Sequence, residues 1–119
     1  MKRLPALLLI SALSQGALAD PYRCVFTDGT AVETAFPCEQ AMVDRFGRRV
    51  IELYPDLRQI NTSPDYIKNL YVFAMAGCQG HFAQMTPEEI GRSGEPFFPW
   101  EMGAAMAQAA REVICPKAS

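Results

Sequence analysis

Four cysteines in a chain of only 119 residues restrict its fold more than any other feature. The two nearest, Cys24 and Cys38, have 13 residues between them, whereas zinc sites are typically built from close pairs such as Cys-x-x-Cys. Together with Cys78 and Cys115 they form an even set in a short chain, which is typical of two disulfide bonds with three alternative pairings. Each such bond contributes about 2–4 kcal/mol to stability, which compensates for a small hydrophobic core.

Residues 1–19 have the pattern of a cleavable signal peptide. Two basic residues near the start are followed by an apolar run over residues 4–13, and an Ala-Leu-Ala sequence then ends at Ala19, where we expect cleavage. The apolar run is about half of the roughly 20 residues that a membrane-spanning helix needs. We therefore expect residues 20–119 to form one mature domain, exported to the periplasm or secreted, without stable membrane insertion.

Removal of this leader would make the domain more acidic. It takes away two of the 11 basic residues and none of the 13 acidic ones, so the formal net charge falls from −2 to −4. Nucleic acids and anionic lipids are bound through clustered positive charge, because their phosphates attract it. We therefore expect no nucleic-acid partner and no anionic membrane partner.

The spacing of apolar residues predicts a mainly α-helical domain with three main helices. The first is predicted over residues 37–54, where apolar positions recur at three- and four-residue intervals. The second begins after the capping residue Ser63, with proline at its first position, and ends at Gly77 and Gly80. The third is predicted over residues 99–114.

Two shorter patterns complete the predicted fold. The sequence Thr-Pro-Glu-Glu from Thr86 has the spacing of a capping box, which predicts a short helix that ends near Gly91 and Gly94. Residues 22–34 are rich in β-forming residues around an Asp-Gly turn, which allows an N-terminal β-hairpin. The expected fold is a small disulfide-stapled bundle of three main helices and one short helix, with this hairpin as an appendage.

The predicted helices leave two disulfide pairings open. The first two main helices have similar lengths and a short connection, so they should pack antiparallel and bring Cys38 and Cys78 to the same end. One pairing joins Cys24 to Cys38 and Cys78 to Cys115, and the other joins Cys24 to Cys115 and Cys38 to Cys78. The first is favoured because it attaches the weak hairpin to the nearest helix.

Catalytic and metal-dependent functions are disfavoured by the inventory of reactive residues. His81 is the only histidine, and its neighbour Cys78 is expected in a disulfide, which leaves only Met85 beside it as a soft-metal ligand. Covalent haem would need a second cysteine where Gly80 stands. A serine or cysteine nucleophile would have only His81 as its base, and the chain contains no Gly-x-Ser-x-Gly sequence. We therefore predict no catalytic residues, no bound metal and no cofactor.

The segment 95–100, Glu-Pro-Phe-Phe-Pro-Trp, is the first candidate for a partner-binding surface. Phe97, Phe98 and Trp100 lie in a stretch stiffened by proline, and large aromatic side chains are typical anchors of protein interfaces. The alternative is that this segment covers one end of a small core.

A second candidate surface is the basic stretch of the first main helix. Arg45 and Arg49 are predicted to face outward and to meet an acidic partner. The alternative is a solvated ladder of ion pairs, because Asp44, Arg48 and Glu52 follow one another at four-residue intervals.

With catalysis and metal binding disfavoured, two functional classes remain, and both imply protein partners. The first is a binding protein of the cell envelope, such as an inhibitor or immunity protein that blocks a secreted toxin or cell-wall enzyme. The layout is similar to that of many envelope proteins, including immunity proteins. The alternative is a periplasmic stress chaperone, which would expose apolar surface when conditions change. A small envelope hydrolase is the third hypothesis.

Overall fold

The computed structural model describes residues 22–95 and 97–116, and the predicted signal peptide with its cleavage site lies outside them. In chain order the described elements are β1 (Tyr22–Val25), β2 (Ala31–Thr34), α1 (Gln40–Leu53), α2 (Leu57–Ile60), α3 (Pro64–Ala74), two 3-10 turns (Met75–Cys78 and Gly80–Gln84), α4 (Pro87–Ser93) and α5 (Trp100–Val113). The prediction of a mainly helical fold with an N-terminal hairpin is confirmed. Of the described helices, none is long and apolar enough to span a membrane.

The helices differ from the predicted ones in three places. α1 begins three residues after Pro37, because Cys38 is bonded to the hairpin and the Pro37 carbonyl accepts a hydrogen bond from the Tyr71 hydroxyl at 2.7 Å. The second main helix keeps α-helical geometry only to Ala74 and then tightens into the first 3-10 turn. The connection between α1 and α3 contains the short helix α2, whose Leu57 is buried.

The two strands form an antiparallel hairpin that docks on α3. Their register runs from Tyr22 opposite Thr34 to Val25 opposite Ala31. On α3, the Lys68 ammonium donates a hydrogen bond to the Val25 carbonyl at 2.7 Å. A two-stranded sheet is marginal by itself, so this contact with a helix supplies part of its stability.

The turn of the hairpin is fixed by side chains on both of its sides. Asp28 accepts hydrogen bonds from the amide and the hydroxyl of Thr30 at 2.9 and 2.7 Å, and Gly29 is left-handed with φ of 91°. The Thr27 hydroxyl donates to Asp65, in the first turn of α3, at 2.6 Å. The predicted Asp-Gly turn therefore also acts as a contact to the helical bundle.

The core lies between α1, α3 and α5. Phe46 of α1 and Tyr71 of α3 are fully buried and meet edge to face, with ring centroids 5.5 Å apart. Burial raises the pKa of the Tyr71 hydroxyl, which remains protonated and donates to the Pro37 carbonyl. α5 completes the core with two buried methionines and four buried alanines.

Two predicted helix starts are confirmed by their caps. The Ser63 hydroxyl accepts a hydrogen bond from the Tyr66 amide at 3.4 Å at the start of α3. At α4, the Glu89 amide donates to the Thr86 hydroxyl at 3.1 Å, and the Thr86 amide donates to the Glu89 carboxylate at 2.8 Å. These two bonds form the full capping box, and α4 ends just before Gly94.

The disulfides follow the first of the two pairings left open by the sequence. Cys24–Cys38 joins β1 to the approach to α1, with 5.3 Å between the Cα atoms. Cys78–Cys115 joins the first 3-10 turn to the end of α5, with 5.2 Å between the Cα atoms. Each bond therefore attaches a short segment to the chain next to one end of one of the two longest described helices.

Candidate functional site

An apolar groove of about 280 Å³ opens on the surface where α3, α4 and α5 meet the 3-10 turns. Its larger side chains are aromatic or aliphatic: Phe73, Phe82, Ile90, Phe97, Phe98 and Met106. Glycines, alanines and one serine supply the rest of the described lining, which contains no titratable side chain. The groove can therefore bury an apolar group, but its described walls offer no acid or base.

Two phenylalanines of the groove are unusually exposed. Phe97 keeps 83% and Phe73 62% of the residue's accessible surface open to solvent. Complete burial of such a side chain is favourable by about 1.5–3 kcal/mol, so two of them left open at one place mark a surface that gains from being covered. Phe73 is held in place by Phe98, which it meets edge to face with ring centroids 5.6 Å apart.

The floor of the groove depends on a backbone contact between α4 and α5. A Cβ atom added at Gly91 would lie 2.7 Å from the Ala104 amide nitrogen, and one added at Gly103 would lie 2.9 Å from the Gly91 Cα. Both distances are too short for real atoms, so only glycine fits at these two positions. α4 consequently lies directly on α5, and Ile90 of α4 and Met106 of α5 face the same groove.

The three aromatic residues predicted as one contact surface are divided by the structure. Phe97 and Phe98 line the groove. Trp100 is half-buried at the start of α5, and the Arg92 guanidinium lies 4.0 Å from its ring centroid. Arg92 is held there by Glu88, with 3.0 Å between the bonded atoms. Trp100 therefore packs against the Arg92 guanidinium, whereas Phe97 and Phe98 form part of the wall of the groove.

The two arginines predicted to meet a partner lie on a different part of the molecule. Arg49 donates to Glu112 at 2.8 Å and to Glu52 at 3.2 Å, and these hydrogen bonds raise its pKa. Arg45 is exposed to solvent. None of the described residues that line the groove belongs to α1, so the arginines and the exposed phenylalanines do not form one surface.

Two of the residues considered as soft-metal ligands have other side-chain contacts in the structure. Cys78 is bonded in a disulfide, and His81 is exposed and stacks on Phe82 with ring centroids 4.6 Å apart. The Met85 carbonyl accepts a hydrogen bond from Arg111. Within residues 22–95 and 97–116, no group of three or more His, Cys, Asp or Glu side chains is arranged to hold a metal ion.

Sequence reasoning did not identify Phe73 and Phe82 as parts of a site. Phe73 lies off the buried stripe of α3, which consists of Ile67, Leu70, Tyr71 and Ala74. A large aromatic residue outside the apolar stripe of a helix is the signal that could have found it. Phe82 lies in a 3-10 turn with no periodic pattern, so no comparable signal pointed to it.

Comparison with protein-family models, curated proteins and solved structures finds no match to this chain. The groove is the feature of the described surface that combines concave shape with exposed aromatic side chains. Chemically, its lining suits the burial of an apolar side chain and does not suit proton transfer.

Proposed function

We propose that this protein is an exported, non-enzymatic binding protein of the cell envelope, which holds an apolar part of a partner protein in the groove. The observation that carries the proposal is the exposure of Phe97 and Phe73 on one concave surface. Contiguous exposed apolar surface of this kind typically marks an interaction site in a small protein.

The size and composition of the groove favour a protein partner over a small ligand. Its volume of about 280 Å³ is at the lower end of the range of roughly 300–1,000 Å³ that is usual for small-molecule sites. Large aromatic side chains that need little ordering are typical anchors of protein interfaces, and Phe98 already orients Phe73. One or two apolar side chains of a partner would fill the groove beside these phenylalanines.

A partner that is itself a basic secreted toxin or cell-wall enzyme fits the charge of the domain. The predicted mature domain has a formal net charge of −4, which steers a positively charged protein toward it during encounter. An inhibitor or immunity protein needs a rigid surface and no chemistry of its own. The absence of a titratable side chain from the described groove lining agrees with that role.

The proposal is tested by affinity capture from envelope extracts with the exported, oxidised protein. The test variant carries Phe73→Ser and Phe97→Ser, and the control variant carries Ile60→Ser, because Ile60 is 50% exposed but does not line the groove. We expect one stoichiometric partner that the wild type and the control retain and the double variant loses. Calorimetric titration of that purified partner should show an affinity at least about tenfold weaker for the double variant.

Two outcomes would contradict the proposal. A stoichiometric partner that the double variant retains would show that binding occurs elsewhere on the protein. If the wild-type protein retained no stoichiometric partner, the proposed binding function itself would be contradicted.

A stress chaperone is the second candidate, because the same exposed phenylalanines could hold unfolded clients. Adaptable client surfaces are often rich in exposed methionine, and Met75, Met102 and Met106 are buried here. The specific binding protein is therefore preferred. Suppression of the aggregation of an acid-unfolded client, with many weakly captured proteins instead of one, would reverse that preference.

A further inference from the structure

One wall of the groove includes a turn with no buried residue. Residues 75–85 contain two 3-10 turns: the first, Met75–Cys78, buries Met75 and Gly77, whereas the second, Gly80–Gln84, contains no buried residue. This segment supplies Gly77 and Phe82 to the groove. Short 3-10 turns with few buried contacts open at low free energy unless other bonds hold them, so the position of this wall depends on its attachments.

The described attachments run to the C-terminal end of α5. The disulfide Cys78–Cys115 fixes the first turn, and Arg111 donates hydrogen bonds to the carbonyl of Phe82, at 3.2 Å, and to that of Met85. α5 also forms the facing side of the groove through Met106. The disulfide thus holds one wall of the groove against the other.

The two disulfides differ in how readily a thiol can exchange with them. In Cys24–Cys38, Cys24 is fully buried, so a thiol could attack only Cys38 and would have to expel the Cys24 thiolate into the apolar core. A thiolate released into apolar surroundings is poorly solvated and is therefore a poor leaving group. In Cys78–Cys115 both residues are partly exposed, so either sulfur can be attacked and either can leave into solvent.

We propose that Cys78–Cys115 is a redox-sensitive cross-link whose reduction opens the wall of the groove and leaves the core folded. The reductant is a dithiol, such as dithiothreitol or a protein with a reduced Cys-x-x-Cys pair. Its first thiolate attacks one sulfur, breaks the Cys78–Cys115 bond and forms a mixed disulfide while the other cysteine leaves as a thiolate. Its second thiolate then displaces the remaining cysteine, so the protein gains two electrons and the dithiol becomes a disulfide.

The value of such a switch to the cell depends on the proposed binding function, but the switch itself can be tested without a partner. The oxidised wild-type protein is exposed to dithiothreitol for increasing times, alkylated with iodoacetamide and mapped by peptide mass spectrometry. We expect Cys78 and Cys115 to be alkylated at least about tenfold faster than Cys24 and Cys38. Equal rates, or faster reduction of Cys24–Cys38, would overturn the proposal.

Hydrogen exchange of the partly reduced wild-type protein measures the structural consequence. The species alkylated only at Cys78 and Cys115 should exchange the amides of residues 75–85 at least about tenfold faster than the oxidised protein. The amides of α1 and α3 should keep their protection. Unchanged exchange over residues 75–85 would show that the bond does not control this wall. Loss of protection throughout α1 and α3 would show that its reduction unfolds the core as well.

A partner isolated by affinity capture separates the switch from the binding function. Loss of that partner on selective reduction is the expected result. If the selectively reduced protein, with faster exchange over residues 75–85, still retained the partner, this disulfide would not control the groove. The binding function would be unaffected by that result. Absence of any partner, together with selective opening of the wall, would contradict the binding function and leave the switch intact.

Discussion

The aromatic side chains in the core between α1 and α3 are buried, whereas two of those that line the groove are exposed. Phe46 and Tyr71 have no exposed surface, and the Tyr71 hydroxyl has a carbonyl partner. Phe73 and Phe97 keep most of their surface open. The difference indicates that the first region supplies the stability of the domain and that the second offers a surface whose burial is still available to a partner.

The largest expected effect comes from truncating one aromatic residue in each region. Phe46→Ala should lower the free energy of unfolding by about 3–5 kcal/mol, because it leaves a cavity in the core. Phe73→Ala should lower it by less than about 1 kcal/mol, because most of the removed side chain is in solvent. Chemical denaturation followed by circular dichroism measures both values. Equal losses would mean that the groove belongs to the core.

A smaller effect is expected from adding one methyl group where α4 lies on α5. Gly91→Ala should destabilise the protein by about 2 kcal/mol, because the new Cβ would overlap the backbone at Ala104. Gly77→Ala is the matched control, since its Cβ would lie an ordinary 3.8 Å from the Ile90 side chain. Denaturation curves compare the two variants, and a Gly91→Ala variant as stable as the control would show that the helices can separate without loss.

An effect of intermediate size is expected from removing the helix caps, one beside the groove and one at the start of α3. Thr86→Ala removes the capping box of α4, beside the groove, and should destabilise the protein by about 1 kcal/mol. Ser63→Ala removes a longer and weaker bond, at 3.4 Å, from the start of α3, so its effect should be smaller. Thermal unfolding ranks the two variants. A larger loss of stability for Ser63→Ala would show that the cap of α3, on which the hairpin docks, is the more important of the two.

The smallest expected effect is a pH dependence confined to the hairpin. Hydrogen bonds from Thr30 lower the pKa of Asp28 below its ordinary value of 3.8. A lowered carboxyl pKa stabilises the fold above pH 3.8, and this contribution is lost as the pH falls through the lowered pKa. An NMR titration of the Asp28 carboxyl in the wild type and in Thr30→Val checks the direction. A pKa that stays unchanged in the variant would contradict the assigned cause.

Local patterns were sufficient to predict most helices, because their causes lie within a few residues. The stripe that includes Phe46 and Val50 predicted α1, and the caps at Ser63 and Thr86 predicted the starts of α3 and α4. The start of α1 was misplaced because the bond between the Pro37 carbonyl and the Tyr71 hydroxyl joins residues far apart in sequence. Periodicity carries no information about such contacts.

The site was predictable only in part for the same reason. Phe97 and Phe98 stood out because prolines flank them in a short segment. Trp100 instead packs against Arg92 of α4, and α4 is positioned by the close contact between Gly91 and Gly103. A pair of glycines 12 positions apart gives no sign in the sequence that their backbones touch.

The hydrogen bond from Lys68 to the Val25 carbonyl also has a consequence for the behaviour of the protein in a crowded compartment. A two-stranded sheet leaves backbone groups of its strands available to strands of other molecules, which is a common route to aggregation. Lys68 occupies one of these carbonyl groups on β1 and places a positive charge beside the strand. A strand that pairs with β1 would have to displace this ammonium group, so the helix that supports the hairpin also hinders pairing along the β1 edge.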